Sequence, residues 1–168
     1  MKLKIILMLL VALALAALAS AQTKISGTLV CAKEGYIVNT YTIQVGDRPN
    51  HAFGIDQGKC NWTKPLDIGG AQAKEFVSTD FAEVSGNRSY GYSYFVITMT
   101  TGDKCYARSS PDTVTLKDGM PPESSEVKWT FVGGTGKLKG IKGKGTSKGK
   151  IGPEGYTWEA EGEYELPK

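Results

Sequence analysis

Near the end of this chain Lys142, Lys144, Lys148 and Lys150 recur at even spacing, and Glu159, Glu161, Glu163 and Glu165 do the same a few residues later. A period of two belongs to a β-strand and not to a helix. Gly152-Pro153-Glu154-Gly155 between the two runs is a turn sequence. Folding the chain about it sets Lys148 opposite Glu159, Thr146 opposite Glu161, Lys144 opposite Glu163 and Lys142 opposite Glu165. A basic run that resembles a nucleic-acid or anionic-lipid patch in one dimension becomes a charge ladder on a sheet surface. Each exposed pair there contributes about 0.2–1 kcal/mol. The other face of the same hairpin sets Gly143 opposite Tyr164, Gly145 opposite Gly162 and Gly149 opposite Trp158. Rings against glycines are how a tightly curved sheet fits aromatic groups on its concave side.

The rest of the chain repeats the theme. Ile25, Leu29 and Cys31 share a strand parity, as do Ile37, Tyr41, Ile43 and Val45. His51–Ile55 reads as a third strand that turns at Gln57-Gly58 into Lys59–Trp62, and residues 73–84 read as another. Ser85-Gly86-Asn87 turns into Arg88–Thr100, where Tyr90, Tyr92, Tyr94 and Val96 share one face and Phe95, Ile97 and Met99 the other. Lys104–Ser109, Val114–Leu116 and a run from Val127 to Val132 complete the set. No stretch beyond a turn or two carries a helical apolar period. About eight to ten short antiparallel strands predict an all-β fold, a small closed barrel in preference to a sandwich, because closure removes exposed edges.

The chain opens with Lys2 and Lys4, an apolar run from Ile5 to Ala19, and Ala19-Ser20-Ala21 before Gln22. That is the layout of a cleavable secretory signal over residues 1–21, leaving residues 22–168 as one domain without membrane insertion, secreted or periplasmic. With 20 basic and 17 acidic residues overall, two of the lysines being in the leader, the mature chain is nearly neutral. Its charge points to no polyanion, and no nucleic acid is expected as a partner.

Cys31, Cys60 and Cys105 then enter an oxidising compartment, which predicts one disulfide and one thiol left over. Spacing leaves all three pairings open. A leftover thiol at the surface would link two chains. A zinc site using these thiols and His51 lacks any close ligand pair such as Cys-x-x-Cys, so no metal is expected.

Gly133-Gly134-Thr135-Gly136-Lys137-Leu138, continued by Lys139-Gly140-Ile141-Lys142-Gly143-Lys144-Gly145, resembles the Gly-Gly-Thr-Gly-Lys-aromatic turn of plant dirigent proteins and allene oxide cyclase barrels. It is also similar to small secreted bacterial proteins that end in this element and a Glu-Gly-Glu-Tyr strand, here Glu161–Tyr164. The resemblance spans Trp129 to Tyr164 and implies an eight-stranded barrel with a central cavity, in which dimers or trimers occur. The acidic, arginine and aromatic residues on which those activities depend do not align onto this chain, so no catalytic residue carries over. Read from the residues alone, Leu138 and Ile141 lie three apart, and a tight turn at Lys139-Gly140 aims both inward. A phosphate-cradling loop needs Gly-x-x-x-x-Gly-Lys-Ser/Thr before a helix, which is absent; no cofactor is expected.

His51 is the single histidine, beside Asp47, Arg48 and Asp56, but no serine or cysteine nucleophile is aimed at it. Asp80 and Arg88 could pair inside a barrel, and an inward Asp80 requires Phe76 to point inward too. Tyr92, Tyr94, Trp158 and Tyr164 offer flat apolar faces with polar tips. The ligand-binding candidates are therefore His51, Asp80, Arg88, Tyr92, Tyr94, Trp158 and Tyr164. Together they favour a non-catalytic exported protein that holds a small apolar or aromatic ligand in its barrel. The alternatives are a cofactor-independent isomerase or cyclase, and a structural or host-facing envelope protein acting through its outer surface.

Overall fold

The alternating patterns find partners along the whole sheet, and the sheet closes on itself. The computed structural model describes residues 22–34, 36–119, 122–153 and 155–167, so the expected leader, residues 1–21, lies outside the described residues. The strands are β1 (Thr23–Ala32), β2 (Ile37–Gln44), β3 (His51–Lys64), β4 (Asp67–Ile68), β5 (Ala71–Ser85), β6 (Arg88–Met99), β7 (Lys104–Ser109), β8 (Asp112–Thr115), β9 (Ser124–Gly134), β10 (Lys142–Gly152) and β11 (Gly155–Glu165). Hydrogen-bonded neighbours run β1, β11, β10, β9, β7, β6, β5, β3 and back to β1, so eight antiparallel strands form a closed barrel. Outside that circuit β2 pairs with β3, β4 with β5 and β8 with β6.

The closing hairpin pairs in the register that the charges require: Lys142 with Glu165, Lys144 with Glu163 and Lys148 with Glu159. No lysine of this ladder comes within 4.0 Å of a glutamate oxygen among the described residues. The ladder therefore acts through register and solvation, at the weak end of what such pairs give. On the concave face Trp129 lies opposite Gly145, which lies opposite Gly162. A Cβ at Gly145 would stand 2.2 Å from Trp129 Cζ2, so the ring occupies the space that a side chain would take.

One expected turn is not a turn. β3 runs unbroken through Gln57-Gly58, because Gly58 pairs with Ser78 on β5 and its missing side chain makes room for the Tyr36 ring. The glycine marks a close approach inside a strand, not a bend. At the other end of the barrel a 3-10 turn at Gly136–Leu138, followed by Gly140 at φ +79°, aims both Leu138 and Ile141 into the core, each 2% exposed. There they pack with Ile68, Met99, Cys105 and Tyr164.

Cys31 and Cys60 form the disulfide, joining β1 to β3. Cys105, the leftover thiol, is fully buried, so it does not offer the surface link between chains that an exposed thiol would. Burial also pushes its pKa up to about 12, which keeps it an inert thiol.

Candidate ligand cavity inside the barrel

Strand parity builds the site. On β5 the inward positions are Phe76, Ser78 and Asp80, and they stand opposite Ile97, Phe95 and Ser93 of β6. Leu29 and Trp62 enter from β1 and β3 as a cross-strand pair, and Trp158 enters from β11. Between them, and above the packed end of the barrel, lies a cavity of about 110 Å³. Its walls are mostly aliphatic and aromatic, including Phe76, Phe95, Trp129 and Phe131, with Trp62 edge-on to Phe76 at 6.0 Å and Phe76 against Phe95 at 5.5 Å. Among the described residues no lysine, arginine or histidine lines it.

Its polar groups gather on one side. Tyr36 Oη, Ser78 Oγ and Asp80 Oδ2 form a chain at 3.4 and 2.9 Å, with Ser78 donating to Asp80. Burial raises the Asp80 pKa above the usual carboxylate range; the Ser93 and Ser78 hydroxyls oppose that rise, and the nearby Asp56 charge adds to it. Burial likewise raises the Tyr36 pKa, helped by the Asp80 charge. Asp80, Ser93, Val127 and Trp158 also line an outer cleft between β8 and the start of β9. They form a neck, and Asp80 stands in it. Trp129 donates from Nε1 to Ser147 Oγ at 3.0 Å, whereas Trp62 buries its Nε1 with no partner among the described residues.

No protein-family model matches this chain, and a search of curated proteins finds no match. Among solved structures it aligns with a pyocyanin demethylase over 82% of this chain and 98% of that one, at 17% identity and a TM-score of 0.43. It also aligns with the pterocarpan synthase dirigent protein GePTS1 over 88% and 89%, at 12% identity and a TM-score of 0.49.

Of the residues singled out in the sequence, Asp80 and Trp158 line the cavity. Tyr164 points inward but belongs to the packed end, where its hydroxyl accepts from the Gly69 N–H at 2.9 Å. Tyr92 and Tyr94 lie on the outer face, because the β6 parity that turns Ser93 and Phe95 inward turns them out. There Tyr92 stacks on Phe81 and Tyr94 meets it edge-on, and Arg108 sits over both tyrosine rings, 4.5 Å from the Tyr92 centroid. Arg88 shares that outward parity, is exposed at the hairpin end opposite Ser85, and makes no pair with Asp80.

His51 is buried away from the cavity lining, its Nδ1 2.5 Å from Asp47 and its Nε2 2.9 Å from Glu83. With a carboxylate on each ring nitrogen it clasps the β2–β3 turn to β5, and its hydrogen bonds to Asp47 and Glu83 raise its pKa. Sequence reasoning missed Tyr36 as a cavity residue and left Trp62 out of the ligand-binding candidates. The glycine at position 58 was the available signal for Tyr36, and the shared parity of Trp62 with Cys60 was the signal for the other.

Proposed function

We propose that this is an exported barrel that binds a small, flat, largely apolar ligand in its interior. The observation that carries this reading is the aromatic-walled cavity of about 110 Å³ with Tyr36, Ser78 and Asp80 joined in one hydrogen-bonded chain on its wall. Pockets of this kind, apolar with a few convergent polar groups, are the usual form of small-molecule sites. A dry cavity of about 150 Å³ holds one benzene ring, so this partly open space of about 110 Å³ suits a ligand no larger than a single small ring. The Cys31–Cys60 disulfide accords with an oxidising compartment.

The test is a filled cavity. Ala107 and Ala160 both line it and are 3% and 6% exposed. Ligand-observed NMR with benzene or indole should report binding to the wild type, and Ala107→Leu or Ala160→Val should weaken it about tenfold while each variant keeps a cooperative melt. Equal binding to wild type and both filled variants would place the ligand elsewhere and end the proposal.

One observation favours a second reading, a cofactor-independent isomerase or cyclase. Asp80, a carboxyl whose pKa burial raises, stands at the edge of an apolar cavity where it can give or take a proton. In that case Asp80→Asn would abolish turnover of a bound substrate without abolishing its binding.

A further inference from the structure

We infer that β2 is an interface strand, through which two copies of this chain pair edge to edge, antiparallel about a two-fold axis, into one sheet shared by both barrels. The inference does not depend on the cavity. In the sheet order β2 stands at one end, hydrogen-bonded to β3 and, among the described residues, to no strand on its other side. Every second residue there turns its N–H and C=O outward, a template for another strand. Native edges are blunted by shortness, charge or proline. The other two strands outside the barrel circuit follow that rule: β4 is two residues long and β8 four, with Asp67 and Asp112 on them. β2 breaks it. Its eight residues, Ile37 to Gln44, are all exposed and hold no charge and no proline. Tyr41 and Ile43 are 69% and 70% exposed, more than any other large hydrophobic residue among the described ones. They lie opposite Ile55 and Phe53 of β3, themselves exposed, and Ile55 lies opposite Phe81 of β5. An apolar row therefore runs from the outer wall of the barrel up to the free edge.

The sequence of the strand selects a second copy as the occupant. A two-fold axis perpendicular to the sheet keeps both outer faces on one side, so residues of like parity must oppose. Centring it on Thr42 sets Tyr41 of each copy opposite Ile43 of the other, an aromatic against a β-branched side chain twice over. On the opposite face Thr42 meets Thr42 and Thr40 meets Gln44, so no like charges meet along the strand. A lipid surface is the rival occupant of the apolar row. It would leave the outward N–H and C=O groups of β2 unpaired, which hydrocarbon penalises; a second β2 satisfies them.

Sedimentation equilibrium of the mature protein should give a dimer with a dissociation constant in the micromolar range. Ile43→Lys should weaken it at least about tenfold while keeping a cooperative melt. Tyr90→Lys, on the outer face of β6 and separated from Phe53 by Glu83, should leave it unchanged. Cysteine pairing reads the register. With Cys31 and Cys60 bonded and Cys105 buried, Thr42→Cys supplies the one surface thiol, and copper phenanthroline should link it at least about tenfold faster than Gln44→Cys, which stands opposite Thr40 of the copy. A monomer at up to about 1 mM would overturn the inference, and its flotation with phosphatidylcholine vesicles would give the apolar row to a membrane instead. A dimer that survives Ile43→Lys, or equal linking through the two cysteines, would overturn it as well.

Discussion

Asp56 of β3 and Asp80 of β5 are directly opposed in the barrel wall, two carboxylates in one cross-strand pair. Opposed like charges destabilise a sheet; burial raises the pKa of the more deeply placed partner, Asp80, and the Asp56 charge adds to that rise. Asp56 finds its own donor in the Thr40 hydroxyl of β2. The fold thus keeps a carboxyl inside an apolar chamber and favours its protonated form.

A pH dependence of stability follows from Asp80. Its folded-state pKa lies above the unfolded value of 3.8, so its contribution is fully present below that value and is lost as pH rises through the raised folded pKa. Asp80→Asn cannot ionise and should remove this loss. Urea midpoints for wild type and variant should diverge as pH rises from 4 to 8, with the variant the more stable at the upper end; parallel curves would contradict the burial of the charge.

His51 predicts a second dependence in a different window. Its folded pKa is raised above 6.5 by hydrogen bonds to Asp47 and Glu83, so the clasp is complete below 6.5 and weakens as pH climbs through the folded value. On the acid side, the lowered pKa of Asp47 means that its share is present above 3.8 and lost as pH falls through the folded value. Thermal melts of His51→Gln between pH 6 and 9 should be flatter than wild type. An unchanged slope would show that the clasp does not hold the β2–β3 turn to β5.

The thiols should behave as two unlike groups. The Cys31–Cys60 bridge has a sequence separation of 29, and losing a loop closure of that length costs about 3–4 kcal/mol in the chain-entropy account. The double variant Cys31→Ala/Cys60→Ala should show that loss in urea unfolding. Cys105, buried and with its pKa pushed up to about 12, should take no iodoacetamide in the native protein and one adduct after denaturation, read by intact mass.

Gly145 tests the packed hairpin face. An added Cβ would meet both the Trp129 ring and the Glu161 carbonyl oxygen, at 2.2 and 2.3 Å. Gly145→Ala should therefore destabilise by about 1–3 kcal/mol through overpacking, while Lys144→Ala on the solvent face should shift the midpoint by less than about 0.5 kcal/mol.

The closing hairpin was legible because one two-residue period carried charge and its complement carried rings and glycines, and both demanded a single register. Barrel closure followed from the same alternation. Parity also separated Tyr92 and Tyr94 from Phe95 and Ile97, but it could not tell inside from outside, since both faces of β6 carry large apolar groups. The outer set is covered by Arg108, a contact between strands that no local pattern announces. Gly58 was misread because a strand glycine and a turn glycine look alike until the ring that fills the gap is known. Asp80 and Phe76 were tied together by parity and both point inward; the proposed Asp80–Arg88 pair broke the same rule, an even step on β5 against the outward set on β6. The cysteine pairing depends on which strands neighbour one another, which the spacing does not contain.

The most direct test of the interior site is a crystal of the mature protein soaked in bromobenzene and measured at the bromine edge. The account predicts an anomalous peak inside the barrel, between Leu29, Phe76, Ile97 and Trp129. Bromine found only on the outer aromatic face around Phe81, Tyr92 and Tyr94, with the interior empty, would contradict it.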